Sequence, residues 1–378
     1  MTEPRSRLDG HHRDAGILVL RYEKAREMLR DPRFGQSTTV YHAMQGVTEG
    51  PFVDWWQSSL LGSEDDRHAR LTRLVSPAFR PGRMEGMRAA SRRAIDDLLD
   101  RVSGQTGVDF VADVSDSYTM IVLSELLQVP EEVRLQVQGW TATLALGFGV
   151  HAAEHLAAVD EAILRLYDII DDLIAYRRAH PADGLLNDLI SARDAGDRLS
   201  DEELRSMVVG VLFAGHDTSR NQLASSLLLL AQHPDQWALL AQRPELAASA
   251  VEEAMRLVAS VPLAARTPKQ DLEYEGLSLK FGTFVGVLVA TANRDPAAFG
   301  EDASSFRIDA SRPPSLAFGG GIHSCLGSAL ARVELQEALL ALTQRFEPAE
   351  LTGPVQWRPS LGIFGPTALP VTLHPRRG

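Results

Sequence analysis

Apolar residues recur at helical spacing over most of the chain, and strand-like alternation is confined to short stretches. Residues 17–20 read as a strand. Residues 22–29 read as a helix that stops near Asp31-Pro32, because a residue before proline avoids the helical region. Residues 54–64 mix Trp55, Trp56, Leu60 and Leu61 with polar residues at no firm period, which predicts a loop laid over apolar surroundings. Helical patterns then dominate at 84–102, 116–127, 131 to about 144, and 151–178 with its stripe of Ala157, Ile163, Tyr167, Ile170 and Leu173.

Ser200-Asp201-Glu202-Glu203 has the form of a capping box, in which hydroxyl and carboxylate satisfy reciprocal amides at a helix start. The helix it opens can run to His233-Pro234, about thirty residues or roughly 45 Å. Residues 207–213 and 223–231 are apolar on most faces, so the helix should be buried. Between them lies the polar insert Gly215-His216-Asp217-Thr218-Ser219-Arg220-Asn221, whose groups need partners if buried. A surface approach at midpoint, a packing crossing at Gly215 and a functional site all fit this pattern.

In residues 244–259, Leu246, Ala250, Glu253 and Leu257 share one stripe, placing a carboxylate on an apolar face with Arg256 three residues on. After Ser260 the period becomes strand-like, over 261–266, 272–274, 277–281 and 283–289. A last helix reaches Phe346 on the stripe Ala331, Leu335, Ala338 and Leu342. Residues 361–365 and 369–371 suggest a terminal hairpin.

Cys325 is the sole cysteine and stands in Leu316-Ala317-Phe318-Gly319-Gly320-Gly321-Ile322-His323-Ser324-Cys325-Leu326-Gly327. Consecutive glycines let the backbone turn tightly and approach a flat ligand. The sulfur sits at a helix start, where unpaired amides and the helix dipole favour a thiolate. A haem iron accepts such an axial ligand. A small buried hydrophobe is the commoner fate of a lone cysteine. A phosphate cradle would need the Lys-[Ser/Thr] pair or G-x-G-x-x-G spacing, both missing from this loop. A cysteine nucleophile, with partners elsewhere in the chain, stays open.

Phe318-x-x-Gly321-x-His323-x-Cys325-x-Gly327 resembles the haem-binding signature of the cytochrome P-450 family. The resemblance implies that Cys325 is the proximal iron ligand, that Phe318 packs on the sulfur side and that His323 reaches a haem propionate. Ala214-Gly215-His216-Asp217-Thr218 resembles the family's oxygen-activation motif. There Gly215 would leave room beside the iron, and the Thr218 hydroxyl, freed from the helix ladder, would supply protons together with Asp217. Glu253-Ala254-Met255-Arg256 matches the family's E-x-x-R pair, whose third member falls by register at Ala310 with Arg312 nearby. His68 and Arg266 match propionate-binding positions, whereas Thr72 stands where the family has arginine. The pocket-lining positions of the family are here Val211, Ala214, Val261, Leu263, Ala264, Ile363 and Phe364, all apolar. Residues 54–64 would roof that pocket and the tip of the terminal hairpin would enter it.

Length and 44% hydrophobic content suit a globular enzyme, and no linker or repeat divides residues 1–378, so a single domain is expected, with 1–15 a poorly ordered tail. The net charge of −12 argues against nucleic acid. The single cysteine fits a reducing cytoplasm, and neither a signal peptide nor a membrane-spanning run is evident.

The expected fold is mainly α with small β-sheets, a cytochrome P-450 fold with haem b between the long central helix and the Cys helix. By resemblance the chain inserts one atom of O2 into a C–H bond of a hydrophobic small molecule, as in natural-product metabolism. Electrons would come from NAD(P)H through a ferredoxin reductase and ferredoxin. Coupling, desaturation or peroxide-driven oxidation on the same haem, and a non-catalytic haem scaffold, are the alternatives. Because the propionate arginine is replaced at Thr72, Arg70, Arg73, Arg80 and Arg332 are expected to form a basic docking patch for ferredoxin.

Overall fold

The long apolar helix with the polar middle is the axis of the molecule. In the computed structural model, which describes residues 16–36, 38–149, 151–194, 199–358 and 362–376, it spans Asp201–Gln232. Its start is the expected capping box: the Ser200 hydroxyl accepts from the Glu203 amide and the Glu203 carboxylate accepts from the Ser200 amide. Helices Asp116–Leu127, Glu131–Leu144, Ala152–Ala179, Ala247–Leu257 and Ser328–Arg345 pack around it, so both its apolar halves are inside. The expected tail at 1–15 lies outside the described residues.

Four strands form a sheet to one side, in the order Ile17–Val19, Val285–Val287, Ala264–Pro268 and Phe34–Gln36, with only the first pair parallel. A second, smaller core of Tyr22, Met28, Phe34, Val285, Phe299 and Leu316 fills the space behind it. Among the described residues no helix is long and apolar enough to cross a membrane.

Four expectations change. Residues 54–64 are not all loop, because a helix Pro51–Ser58 carries Trp55 and Trp56, both buried. Its proline presets the first turn, and the helix ends after two turns, where Ser59 turns extended, too short a run for its apolar period to show. The helix expected over 84–102 is two, Pro81–Gly86 and Arg88–Val102, with the break beside Gly86, the weakest helix former there. The strands expected at 261–266, 277–281 and 283–289 shorten or shift to Ala264–Pro268, Leu277–Leu279 and Val285–Val287, the last followed by a helical turn. The terminal hairpin pairs differently. Gln356–Trp357 runs beside Pro366–Ala368, while Pro370–Thr372 lies between Val108–Asp109 and Glu350–Leu351, partners that local alternation cannot reveal. Leu361 of the expected hairpin lies outside the described residues.

Candidate active site

The Cys loop is held by its own backbone. Gly319 and Gly321 both have φ of 70°, and a Cβ on Gly321 would stand 2.6 Å from the Leu29 carbonyl, so only glycine fits there. The Cys325 amide donates to the Phe318 carbonyl at 3.0 Å, and Asn293 Oδ1 accepts from the buried Leu316 amide at 2.8 Å. Behind the loop the Arg332 guanidinium lies 4.5 Å above the Phe318 ring.

Cys325 opens into a cavity of about 450 Å3 and is exposed to it, although protein atoms surround the site. Burial pushes its thiol above the ordinary range, against the Gly327 amide, the Arg332 charge and the Ser328 amide. The helix-start amides therefore act in the expected direction, but in the protein alone burial outweighs them. A cation at the sulfur would reverse that balance, since metal coordination deprotonates a thiol.

Across the cavity stand Val211, Ala214, Gly215 and Thr218 of the central helix, with Val261, Leu263, Ala264 and Ile363 on the side walls. Trp56, Leu60, Leu61, Phe148 and Phe213 close it, the last two stacked at 4.7 Å. Phe148, on the short turn Ala145–Phe148, carries no sequence signal of this role. Phe364 is a correction: it does not line the cavity but stacks on Trp357 at 5.0 Å, and its amide is tied to the Ser260 carbonyl. The Thr218 hydroxyl is another, since it is not free but donates to the Ala214 carbonyl at 2.6 Å, the usual back-bond of a helical threonine. Gly215 faces both ways. It lines the cavity, and a Cβ there would meet Leu123 Cδ2 at 2.7 Å.

The rest of the polar insert is largely partnered, with Arg220 Nε and Asn221 Oδ1 left without a hydrogen bond among the described residues. His216 is inaccessible and bridges helices, its Nδ1 3.3 Å from Thr141 Oγ1 and its Nε2 3.2 Å from Asp116 Oδ1. Asp217 does not line the cavity. Its carboxylate, also inaccessible, accepts from Arg358 and from Arg220, each at 2.6 Å. Burial acts to raise its pKa, but the charges of Arg358 and then Arg220 outweigh this and hold it below the ordinary carboxylate value. Arg358 has no local sequence signal, because it lies 141 residues from Asp217.

A second carboxyl lies on the cavity wall. Glu334 of the Cys helix is 2% exposed, and burial, partly offset by a hydrogen bond with Ser219, pushes its pKa up to about 8. Burial thus favours its neutral form. Its sequence signal was only a polar position beside an apolar stripe.

At the cavity edge His68, Arg266 and His323 converge, with the two imidazoles 4.5 Å apart. Thr72, in the place of the family's arginine, sets its hydroxyl 3.4 Å from His68 Nδ1. His323 Nε2 is 3.0 Å from Glu64 Oε1. Burial opposes the ionisation of Glu64, but hydrogen bonds from His323, the Gln36 amide and Lys269 bring its pKa to about 2. Arg266 is 5% exposed and donates to the Ala265 carbonyl, and Glu64 acts on it only through its charge, with no ion pair between them among the described residues. Burial drives it down to about 10. A buried guanidinium with no ion-pair contact among the described residues, influenced only at longer range by Glu64, beside two histidines and within one cavity of an open sulfur, matches a ligand that has carboxylates at one edge and a thiol-seeking metal at its centre. The residues fit a haem.

The E-x-x-R pair is buried and complete. Arg256 donates to Glu253 Oε2 at 2.7 Å and Oε1 at 2.8 Å, and also to the carbonyls of Asn293, Ala303 and Ser305. Arg312, rather than Ala310, supplies the third member, with Nε 3.8 Å from Glu253 and its closer pair at Asp302. The proposed basic patch is smaller than expected. Arg70 forms a two-pronged pair with Glu203 of the capping box, and Arg332 pairs with Glu252, leaving Arg73 and Arg80 exposed.

Comparison with known proteins agrees with this geometry. The family model described as Cytochrome P450 matches residues 151–242 and 235–360. The chain is 37% identical over 358 residues to luteothin monooxygenase of Streptomyces thioluteus, covering 94% of this chain and 87% of that one. It is 36% identical over 382 residues to mycinamicin IV hydroxylase/epoxidase of Micromonospora griseorubida, covering 98% and 92%. Among solved structures, P450BioI in complex with a fatty-acyl-ligated acyl carrier protein superposes with a TM-score of 0.86 at 31% identity, covering 95% of this chain and 92% of that one. The Bacillus subtilis 168 bacillaene polyketide synthase cytochrome P450 PksS gives 0.84 at 33%, covering 94% and 90%.

Proposed function

This chain belongs to the cytochrome P450 family of oxidoreductases, and on that premise we propose that it binds haem b and uses O2 to oxygenate a C–H bond of a hydrophobic natural product. The observation that carries the reading is the placement of Cys325 across one apolar cavity from Gly215 and Thr218. Cys325 would hold the iron, and His68, Arg266 and His323 would hold the propionates. The bound haem supplies the activation of O2 and the oxidising power for the substrate.

The chain's own residues do the rest. Trp56, Phe148, Phe213, Val261 and Ile363 bind an apolar body and exclude water. Thr218 Oγ1, which lines the cavity beside Ser219, gives its own proton to the Ala214 carbonyl and so presents an acceptor lone pair that can hold a proton donor at the reaction chamber. Asp217, one residue earlier and ionised, accepts and passes protons on the far side of the helix. Electrons are taken to come from NAD(P)H through a ferredoxin reductase and a ferredoxin, with Arg73 and Arg80 as the steering charges. Cytoplasmic placement accords with the single cysteine and the absence of a membrane-crossing helix among the described residues.

The test is spectral and then chemical. The reduced protein with carbon monoxide should show the red-shifted band of a thiolate-ligated haem, and Cys325→Ser should lose it. Oxygenated product should then appear from a type-I-shifting apolar compound supplied with NADPH, a surrogate ferredoxin and its reductase. Protein that binds no haem in haem-sufficient cells would end this reading.

A further inference from the structure

Asp217 is held by two cations from different parts of the chain. Arg220, one turn along the same helix, is shared: its Nη2 meets Asp217 Oδ1 at 2.6 Å and its Nη1 lies 3.2 Å from Asp116 Oδ1. Arg358 is committed to Asp217, with Nη1 2.6 Å from Oδ2 and Nη2 3.2 Å from Oδ1. His216, at the preceding position, turns its ring to Asp116, and Asn221 Nδ2 contributes a neutral contact at 3.3 Å.

Arg358 follows the strand Gln356–Trp357, and its backbone is fixed independently of its charge. The Arg358 amide donates to the Gly365 carbonyl at 3.1 Å. Gly365 lies so close to the central helix that a Cβ there would be 2.5 Å from Asn221 Cβ. Next to it the Phe364 amide donates to the Ser260 carbonyl at 2.8 Å, and the Ser260 amide donates to Gln222 Oε1 at 3.1 Å. Ile363, in the same strip of backbone, is part of the cavity wall. One hairpin thus presents a pocket-wall side chain and the counter-ion of the buried carboxylate.

We propose that Arg358 is a positioning residue for oxygen activation: through the strand pair that carries Ile363 into the pocket wall, it fixes the orientation and the ionised state of Asp217. The idea rests on the P450 reading for what Asp217 does, and on the contacts above for how Asp217 is set. Without Arg358, the inaccessible carboxylate keeps a single guanidinium that is divided with Asp116. Its ionised form is then less favoured, and the direction of Oδ2 is no longer dictated.

The experiment uses the full-length haem-loaded protein and the substitutions Arg358→Gln, Arg358→Lys, Asp217→Asn and Arg358→Gln with Asp217→Asn. O2 uptake driven by NADPH, a surrogate ferredoxin and its reductase is followed against pH with no organic substrate added, and unfolding midpoints are measured alongside. Arg358→Gln should slow uptake several-fold and move the acid limb of the profile up by about one pH unit, the shift expected when a neighbouring charge is lost. Arg358→Lys should restore most of both, because the charge is kept. In the Asp217→Asn background, Arg358→Gln should have little further effect on rate or midpoint, since the two residues act as one unit. A lowered midpoint with the wild-type rate and acid limb would reduce Arg358 to a hairpin pin and overturn the proposal. So would equal losses with and without Asp217. A wild-type protein lacking the red-shifted carbon monoxide band marks failure of the P450 function instead, and is told apart by that band alone.

Discussion

Arg256 meets both carboxylate oxygens of Glu253, at 2.7 and 2.8 Å, in a site where the two residues are 1% and 3% exposed. The pair is more than local. Three remaining donor contacts of Arg256 satisfy the carbonyls of Asn293, Ala303 and Ser305, and Asn293 in turn orders the entry to the Cys loop through the Leu316 amide. Helix Ala247–Leu257 is thereby fastened to the segment that presents Cys325.

Arg256→Ala should strand a buried carboxylate and three carbonyls, costing about 3–5 kcal/mol of unfolding free energy. Denaturant unfolding of the holoprotein checks this. A loss below about 1 kcal/mol would mean that the pair behaves like an exposed one.

Glu334 gives a pH signature. Its folded pKa of about 8 exceeds the value of 4.5 taken for a free glutamate, so the folded state binds the extra proton. Stability from this group is fully present below the unfolded value and falls away as pH rises to about 8, by an amount on the order of 5 kcal/mol if no other group compensates. Glu334→Gln keeps the shape without the titration. Its stability advantage should therefore grow from pH 5 to pH 8 and level off above, as read from unfolding midpoints. An advantage independent of pH would show that the carboxyl is not held neutral.

Gly215 and Leu123 offer a steric cycle. Helix propensity alone favours Gly215→Ala by about 1 kcal/mol. The 2.7 Å contact with Leu123, itself 2% exposed, opposes that by an overpacking cost of about 1–3 kcal/mol. Gly215→Ala should therefore fail to stabilise the protein. Leu123→Ala should cost less in the Gly215→Ala background than alone, and strict additivity of the two unfolding energies would refute the contact.

The arginines of helix Asp65–Val75 and of the turn that follows it divide into two roles. Arg70→Glu sets a like charge against Glu203 and should weaken the start of the central helix, lowering the unfolding midpoint. Arg73→Glu with Arg80→Glu should leave the midpoint and haem content alone but slow reduction by ferredoxin several-fold at low salt, with dithionite reduction unchanged. Equal reduction rates at low salt would remove these two from the docking surface.

Much of this protein was written locally. The capping box at Ser200, the helical period of residues 116–127 and 131–144, and the glycines around Cys325 each depend on neighbours within a few residues. Short-range sterics and hydrogen bonding fix their outcome wherever the chain goes. The Glu253-Arg256 pair was equally visible, being one turn apart on one stripe. Tertiary structure decided which charges meet across the chain: Arg358 with Asp217, Arg70 with Glu203, Arg312 with Glu253. With 38 basic and 50 acidic residues, no local rule selects such partners. It also decided that burial favours the neutral form of Glu334, that Phe364 leaves the cavity to Phe148, and that Trp55 belongs to a buried helix. Each of these depends on what surrounds a side chain once distant elements have packed, and burial and dielectric are properties of that packing rather than of the residue.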